Sequence, residues 1–361
     1  LVKTVQFRAV ARLHDVFREY LAVLDEGLRA PALREVAGRF GKAADQAPPA
    51  EQDAVLDGLA KAIRTLEIER ASHAAFMAGS LVDIGANPEI AAPAVVERLV
   101  EILPDVRTFG DACRSRAGDD AVTPEIQQQV ADDHPEVVGG WNAFQNLPMA
   151  AISMISRSKE LRSTLRKTPA LRDELEKIDA QHFLVMLLHV LDDEPLVVLH
   201  PELRQGYRMK ISGISDNFQL HTLLADALIG FWKLKGTRPH RTVVQTARGL
   251  GPQENPLSVQ GVWDLCPWMA LQPDFALPRL GKGMLPAEMM IWGEGVPSDI
   301  PKFEGTRTIL LGPPSYGRGW SANRIFSGLQ ASLETTGTLD QAEVQGLMSR
   351  ILEAKKALRP G

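Results

Sequence analysis

The stretch HPELRQGYRMKISGISDNFQLHTLLADALIG, residues 200–230, holds His200, Arg208, Lys210, Ser212, Asp216, Asn217, Gln219 and His221. Guanidinium and ammonium groups beside hydroxyl, amide and imidazole donors are what recognition of a carboxylate requires. Part of the cluster has a simpler explanation. Asp216 followed three residues later by Gln219 has the spacing of a helix capping box, with Leu220, Leu223, Leu224, Ala227 and Leu228 as the apolar stripe beyond it. Asn217 and His221, four apart, share a flank of that helix and are not consumed by the cap.

A second donor-rich stretch is ILLGPPSYGRGWSANRIF, where Gly312, Gly317 and Gly319 allow unusual backbone geometry and Ser315, Tyr316, Arg318 and Arg324 supply donors suited to a carboxylate or phosphate. It lacks the lysine of a nucleotide-binding loop. The expected ligand site is therefore Arg208, Lys210, Ser212, Asn217, His221 and Arg318, and the expected ligand a peptide or protein segment that carries carboxylates. The competing expectation is an enzyme whose site is built from His200, Asn217, His221, Glu294 and Arg318.

Signatures of catalysis are missing. There is no GxSxG, Ser212 has no identifiable base in sequence, and Cys266 in WDLCPW sits among apolar residues that raise a thiol pKa. Glu294 and Asp299 lie close together in IWGEGVPSDIP, but carboxylates in such loops commonly bind turn amides. His182 and His189 are seven apart, no HxxxH or HExxH occurs, and the two cysteines, Cys113 and Cys266, stand far apart. Neither a metal nor another cofactor is expected, and the balance tilts toward a non-catalytic accessory protein.

The elements that must position these residues change character near residue 193. Before it, apolar residues recur with helical period: VQFRAVARLHDVFREYLAVLDEGL, then PPAEQDAVLDGLAKAIRTLEIERASHAAFMAGSLVDIG, then AAPAVVERLVEIL. GSLVDIGANPEIAAPAVVERLVEIL predicts an antiparallel helix pair, with Gly85 ending one helix and Pro88 opening the next. The polar residues 113–140 predict a loop with one short helix. Further helices are expected in WNAFQNLPMAAISMISRS, SKELRSTLRKT and PALRDELEKIDAQHFLVMLLHVL.

From Pro195 the grammar is that of strands. PLVVLH and GYRMKISG predict a hairpin in which Tyr207, Met209 and Ile211 face the core while Arg208, Lys210 and Ser212 face away. SVQGVWDLC, AEMMIWGEG and TRTILLGPP predict further strands. Five of the six tryptophans fall between Trp232 and Trp320, as an aromatic core or groove. The end, LDQAEVQGLMSRILEAKKAL, predicts an amphipathic helix capped by Asp340 and Glu343. The expected fold is α+β: a helical domain over 1–193 and a smaller, mostly antiparallel α+β domain over 194–361.

At 361 residues and 45% hydrophobic content the chain has material for two cores. Its net charge of -5 gives no global attraction to nucleic acid. No apolar run reaches membrane-spanning length, and Arg8, Arg12, His14 and Asp15 interrupt any leader-like core in LVKTVQFRAVARLHDVF. A cytoplasmic protein, interacting with neither nucleic acid nor membrane, is expected. Arginine outnumbers lysine about two to one, which suits a GC-rich bacterial genome.

Overall fold

The computed structural model describes residues 12–29, 31–167, 169–178, 182–280 and 285–358. The first expected helix and the stretch LVKTVQFRAVARLHDVF lie in part before residue 12, outside the described residues. The chain divides between Leu188 and His189 into two compact units.

The first unit is helical throughout its described residues: α1 (Leu13–Glu26), α2 (Pro31–Ala44), α3 (Pro49–Thr65), α4 (Ile68–Asp83), α5 (Pro88–Ala117), α6 (Pro124–Asp133), α7 (Pro135–Ala143), α8 (Leu147–Arg157), α9 (Lys159–Arg166), α10 (Pro169–Glu176) and α11 (His182–Leu188). Its prolines are mostly starters. Pro31, Pro49, Pro88, Pro124, Pro135 and Pro169 each open a helix, where the missing N–H costs nothing and the fixed φ fits. Asn87, Thr123 and Ser158 cap α5, α6 and α9 through their side chains. The core is rich in alanine where helices approach closely. A Cβ on Gly79 of α4 would lie 3.0 Å from the Ala150 backbone of α8, so that crossing depends on a residue without a side chain.

One sequence expectation is corrected here. The polar residues 113–140 are not a loop with one helix. Helix α5 runs for 30 residues, through Pro93 and Pro104, and ends at Gly118 with φ 61; α6 and α7 follow. Only a narrow apolar seam is needed to hold them: Phe109, Cys113, Val130 and Val137 form a satellite core, and Trp141 stacks on Phe109 with centroids 4.6 Å apart.

The second unit carries the sheet, so the α+β expectation holds. Its strands are β1 (Glu194–His200), β2 (Gln205–Ser212), β3 (Ser258–Gln260), β4 (Asp264–Pro267), β5 (Lys302–Phe303), β6 (Thr306–Gly312), β7 (Gly319–Ser321) and β8 (Ser332–Leu339). The main sheet has the order β4-β6-β1-β2-β8, with β5 also on β6; β3 and β7 form a separate ribbon. Every pairing is antiparallel except β1 with β6. The helices are α12 (Asn217–Ala225), which continues into a wider-turned segment Asp226–Phe231, then α13 (Arg241–Arg248) and α14 (Gln341–Leu358).

Strand alternation sorts the core into two faces. Leu196, Val198, Tyr207, Met209 and Ile211 pack with Leu220, Leu223 and Leu224 of α12. Leu199, Cys266 and Leu310 pack on the opposite face with Val344, Met348 and Ile351 of α14. The expected cap of α14 is present in both directions: Asp340 N donates to Glu343 Oε2 and Glu343 N to Asp340 Oδ1, each at 2.8 Å. Trp263 and Trp268 are core residues, whereas Trp292 is exposed.

The expected strand over AEMMIWGEG is absent. A single turn, Ala287–Met289, leads into a loop whose carbonyls turn toward α12: Asn217 N donates to Gly293 O at 3.1 Å and Gly295 O at 2.9 Å. Conversely β8 is a strand that its polar sequence SLETTGTL did not announce. Among the described residues no helix is long and apolar enough to cross a membrane.

Candidate functional site

Helix α12 is positioned by buried polar contacts at its start. Gln219 N donates to Asp216 Oδ1 at 2.7 Å, the expected cap, while Gln219 Oε1 accepts from Ser215 N at 2.8 Å and Gln219 Nε2 donates to Ala247 O of α13. The reciprocal bond thus falls one residue earlier than in a standard box, and the glutamine also ties α12 to α13. Burial pushes the Asp216 carboxyl up, against the hydrogen bonds that hold it down.

Asn217 Nδ2 donates to Trp292 O at 2.9 Å, clamping the loop 292–295, while its Oδ1 is buried with no hydrogen bond. His221, one turn on, is 2% exposed. Its ring meets Trp320 edge-on at 5.0 Å, and its Nε2 lies 3.2 Å from Trp263 O and 3.4 Å from Trp263 N. Arg318 Nη2 already donates to that carbonyl at 2.6 Å, so Nε2 is best used as the acceptor of the Trp263 N–H. Burial first, then the Arg318 charge, push His221 down to about 4, and it stays neutral.

Beside Trp263 lies the residue that the sequence reading missed. Asp264 is 0% exposed; its Oδ2 accepts from Ser315 N at 2.8 Å and from Ser315 Oγ. Arg279 Nη1 stands 3.6 Å from Oδ2 and Arg318 Nη2 3.7 Å from Oδ1. Two donors of the Pro/Gly loop, Ser315 and Arg318, do meet a carboxylate, and it is the chain's own Asp264. The signal available in the sequence was a lone acid inside the apolar run VWDLCPW. Arg324, from the same loop, is spent on the carbonyls of Gly251, Phe326, Ser327 and Leu329. Cys266 is buried, and burial with the nearby Asp264 pushes its thiol up to about 12.

The six expected ligand residues do not converge. His221 and Arg318 meet around Trp263, and Asn217 lies one turn back on α12. Arg208 and Lys210 alternate onto the other sheet face. There Arg208 Nη2 pairs with Glu343 Oε1 of α14 at 3.0 Å, and Lys210 lies 3.7 Å from Asp193 and 3.5 Å from Glu334. Ser212, at the end of β2, accepts from Asp193 N at 2.8 Å. Of the residues named for catalysis, His200 is buried and accepts from Leu203 N at 3.4 Å within its own hairpin turn, with burial pushing its pKa down. Glu294 is exposed in the loop 292–295. Among the described residues no three His, Cys, Asp or Glu side chains are gathered so as to hold a metal.

What this unit offers a partner is at its edge. Strand β8 pairs on one side with β2 and ends the described sheet on the other. The register shifts between Arg208 and Met209, where Gly337 and Thr335 are their partners, so Thr336 bulges. Trp232 Nε1 donates to Thr335 Oγ1 at 3.3 Å, and Phe231, 74% exposed, packs on Trp232 with centroids 5.0 Å apart. An edge strand and an aromatic shelf thus lie side by side.

Comparison with known proteins yields no match for this chain to a family model, to a curated protein or to a solved structure.

Proposed function

We propose that the protein is a non-catalytic binding module that receives an extended peptide or protein segment along the outer edge of β8. The observation that carries this reading is the eight-residue strand Ser332–Leu339, which has a described strand partner on one side only. Such an edge offers backbone N–H and C=O groups to an added strand on either side of the Thr336 bulge. Phe231 and Trp232 supply an apolar shelf for one of its side chains, as aromatic anchors do in peptide grooves.

The catalytic reading draws no comparable support. His221 is buried and neutral, Asp264 is enclosed by Ser315, Arg279 and Arg318, and the Cys266 thiol is protonated at ordinary pH. A reacting group needs access to substrate, and these have none.

Peptides selected from a random display library against the full chain, then measured by calorimetry and amide hydrogen exchange, test the proposal. Slowed exchange over residues 332–339 is expected, together with binding that Phe231→Ser weakens by about ten-fold. Selected peptides that protect other segments, or that ignore the substitution, would overturn it.

A further inference from the structure

The helical unit contains a cavity of about 620 Å³ lined by Tyr20, Leu28, Arg29, Leu33, Arg34 and Met77, among others, between α1, α2 and α4. That volume is in the range of small-molecule sites. The walls are largely apolar, with Phe76 at 42% exposure on α4 as a further lining residue.

Two features of the lining are out of keeping with the rest of this unit. Arg18, Arg39, Arg64, Arg70, Arg98, Arg107, Arg114, Arg116 and Arg157 each pair with a carboxylate. Arg29 and Arg34, the remaining arginines between Arg18 and Arg157, pair with none in the described structure, and both line the cavity. Neighbouring acids are engaged elsewhere: Asp25 pairs with Arg70, and Glu35 acts on Arg39. The second feature is Tyr20, 1% exposed, whose hydroxyl makes no hydrogen bond to a described residue although the side chain lines the cavity. On the cavity wall, that hydroxyl can donate to an acceptor carried by a ligand.

We infer that this cavity is a binding site for a small amphipathic organic anion, whose carboxylate or phosphate head meets Arg29 and Arg34 and whose hydrocarbon body lies against Leu28, Leu33, Phe76 and Met77. Guanidinium pairs suit either head group, since each offers two oxygens that one guanidinium can meet with parallel hydrogen bonds. His73 also lines the site; burial outweighs the nearby Glu69 and lowers its pKa, so it contributes a neutral ring. The site lies wholly within the helical unit and does not depend on the peptide-edge reading.

Calorimetry on the full chain with octanoate, octyl phosphate and octylammonium decides the matter. Saturable one-to-one binding is expected for at least one of the two anions and none for the cation; which anion binds more tightly identifies the head group. Arg29→Gln/Arg34→Gln, two exposed positions, should weaken anion binding by about ten-fold or more with the melting temperature unchanged. Tyr20→Phe keeps the ring and should weaken it by roughly three- to ten-fold. Failure of both anions to saturate, equal binding of octylammonium, or an affinity indifferent to the double substitution would each overturn the inference.

Discussion

In the helical unit the buried polar side chains among the described residues are Gln52, Ser72, Ser156, Ser158 and Arg162; in the sheet-bearing unit they include Ser212, Ser215, Asp216, Asn217, Gln219, His221, Thr246, Asn255, Asp264 and Arg324. The first group serves helix ends: Gln52 Nε2 reaches Ala44 O at 2.9 Å and Arg162 Nη1 reaches Ile155 O and Ser156 O at 2.8 Å. The second group fastens loops. Helices satisfy their own backbone, whereas long connections must be satisfied by side chains when they are covered. Dense polar residues in a loop-rich unit therefore mark where loops are pinned. In a unit of self-satisfied helices, an unpaired arginine or hydroxyl is the informative exception.

The largest difference between the two units should fall at Asp264. Asp264→Ala leaves Arg279 and Arg318 without their carboxylate and frees the Ser315 loop, and should cost about 3 kcal/mol or more in denaturant unfolding. Asp83→Ala, which removes the half-exposed partner of Arg157 in the helical unit, should cost less than about 1 kcal/mol. Equal costs would mean that the two units do not use their charges differently.

Next in size is the acid response of His221. Its folded pKa of about 4 lies below the ordinary 6.5, so the unfolded chain binds the proton first. The stability associated with the neutral ring is full above pH 6.5 and is lost as pH falls toward 4, by up to about 3 kcal/mol. His221→Gln should flatten the fall in stability over that window. Some slope should persist, because His73 and His200 are also held down by burial and act with the same sign. A slope unchanged by the substitution would show that His221 is not the buried neutral base described here.

The smallest effects belong to the exposed face of β2. Arg208→Ala and Lys210→Ala remove solvent-exposed pairs with Glu343, Asp193 and Glu334, and each should change unfolding stability by less than about 1 kcal/mol. A larger loss would place these cations in a more demanding role than surface pairing.

Local grammar carried much of the fold. The hairpin β1–β2, the cap at Asp216–Gln219 and the capping box at Asp340–Glu343 stand where alternation and spacing put them, because each depends on residues a few positions apart. Sequence alternation also separated Arg208 and Lys210 from Tyr207, Met209 and Ile211. It could not say that α12 returns over the Tyr207 face and α14 over the other, and that choice is what splits the expected ligand site. Asp264 escaped for the same reason: its partners Arg279, Ser315 and Arg318 lie 15 to 54 residues away in sequence. The AEMMIWGEG segment has strand-like composition, but Gly293 and Gly295 let it bend to Asn217, and β8 is a strand through its pairing with β2 despite Gly337 and its few apolar residues.

The pairing of β1 with β6 bears on how the protein is made. Leu196 opposes Arg307 and Leu199 opposes Leu310, so the centre of the sheet joins segments more than a hundred residues apart, and β2 waits longer still for β8. Closing such loops is entropically slow, whereas in the helical unit several of the packed pairs, among them α1 with α2, α3 with α4 and α3 with α5, lie close in sequence. During synthesis that unit can complete itself while the β1–β2 hairpin still has both edges open. A chain interrupted after α13 would present an apolar two-stranded ribbon with nothing to pair with, and its characteristic failure should be self-association rather than simple unfolding.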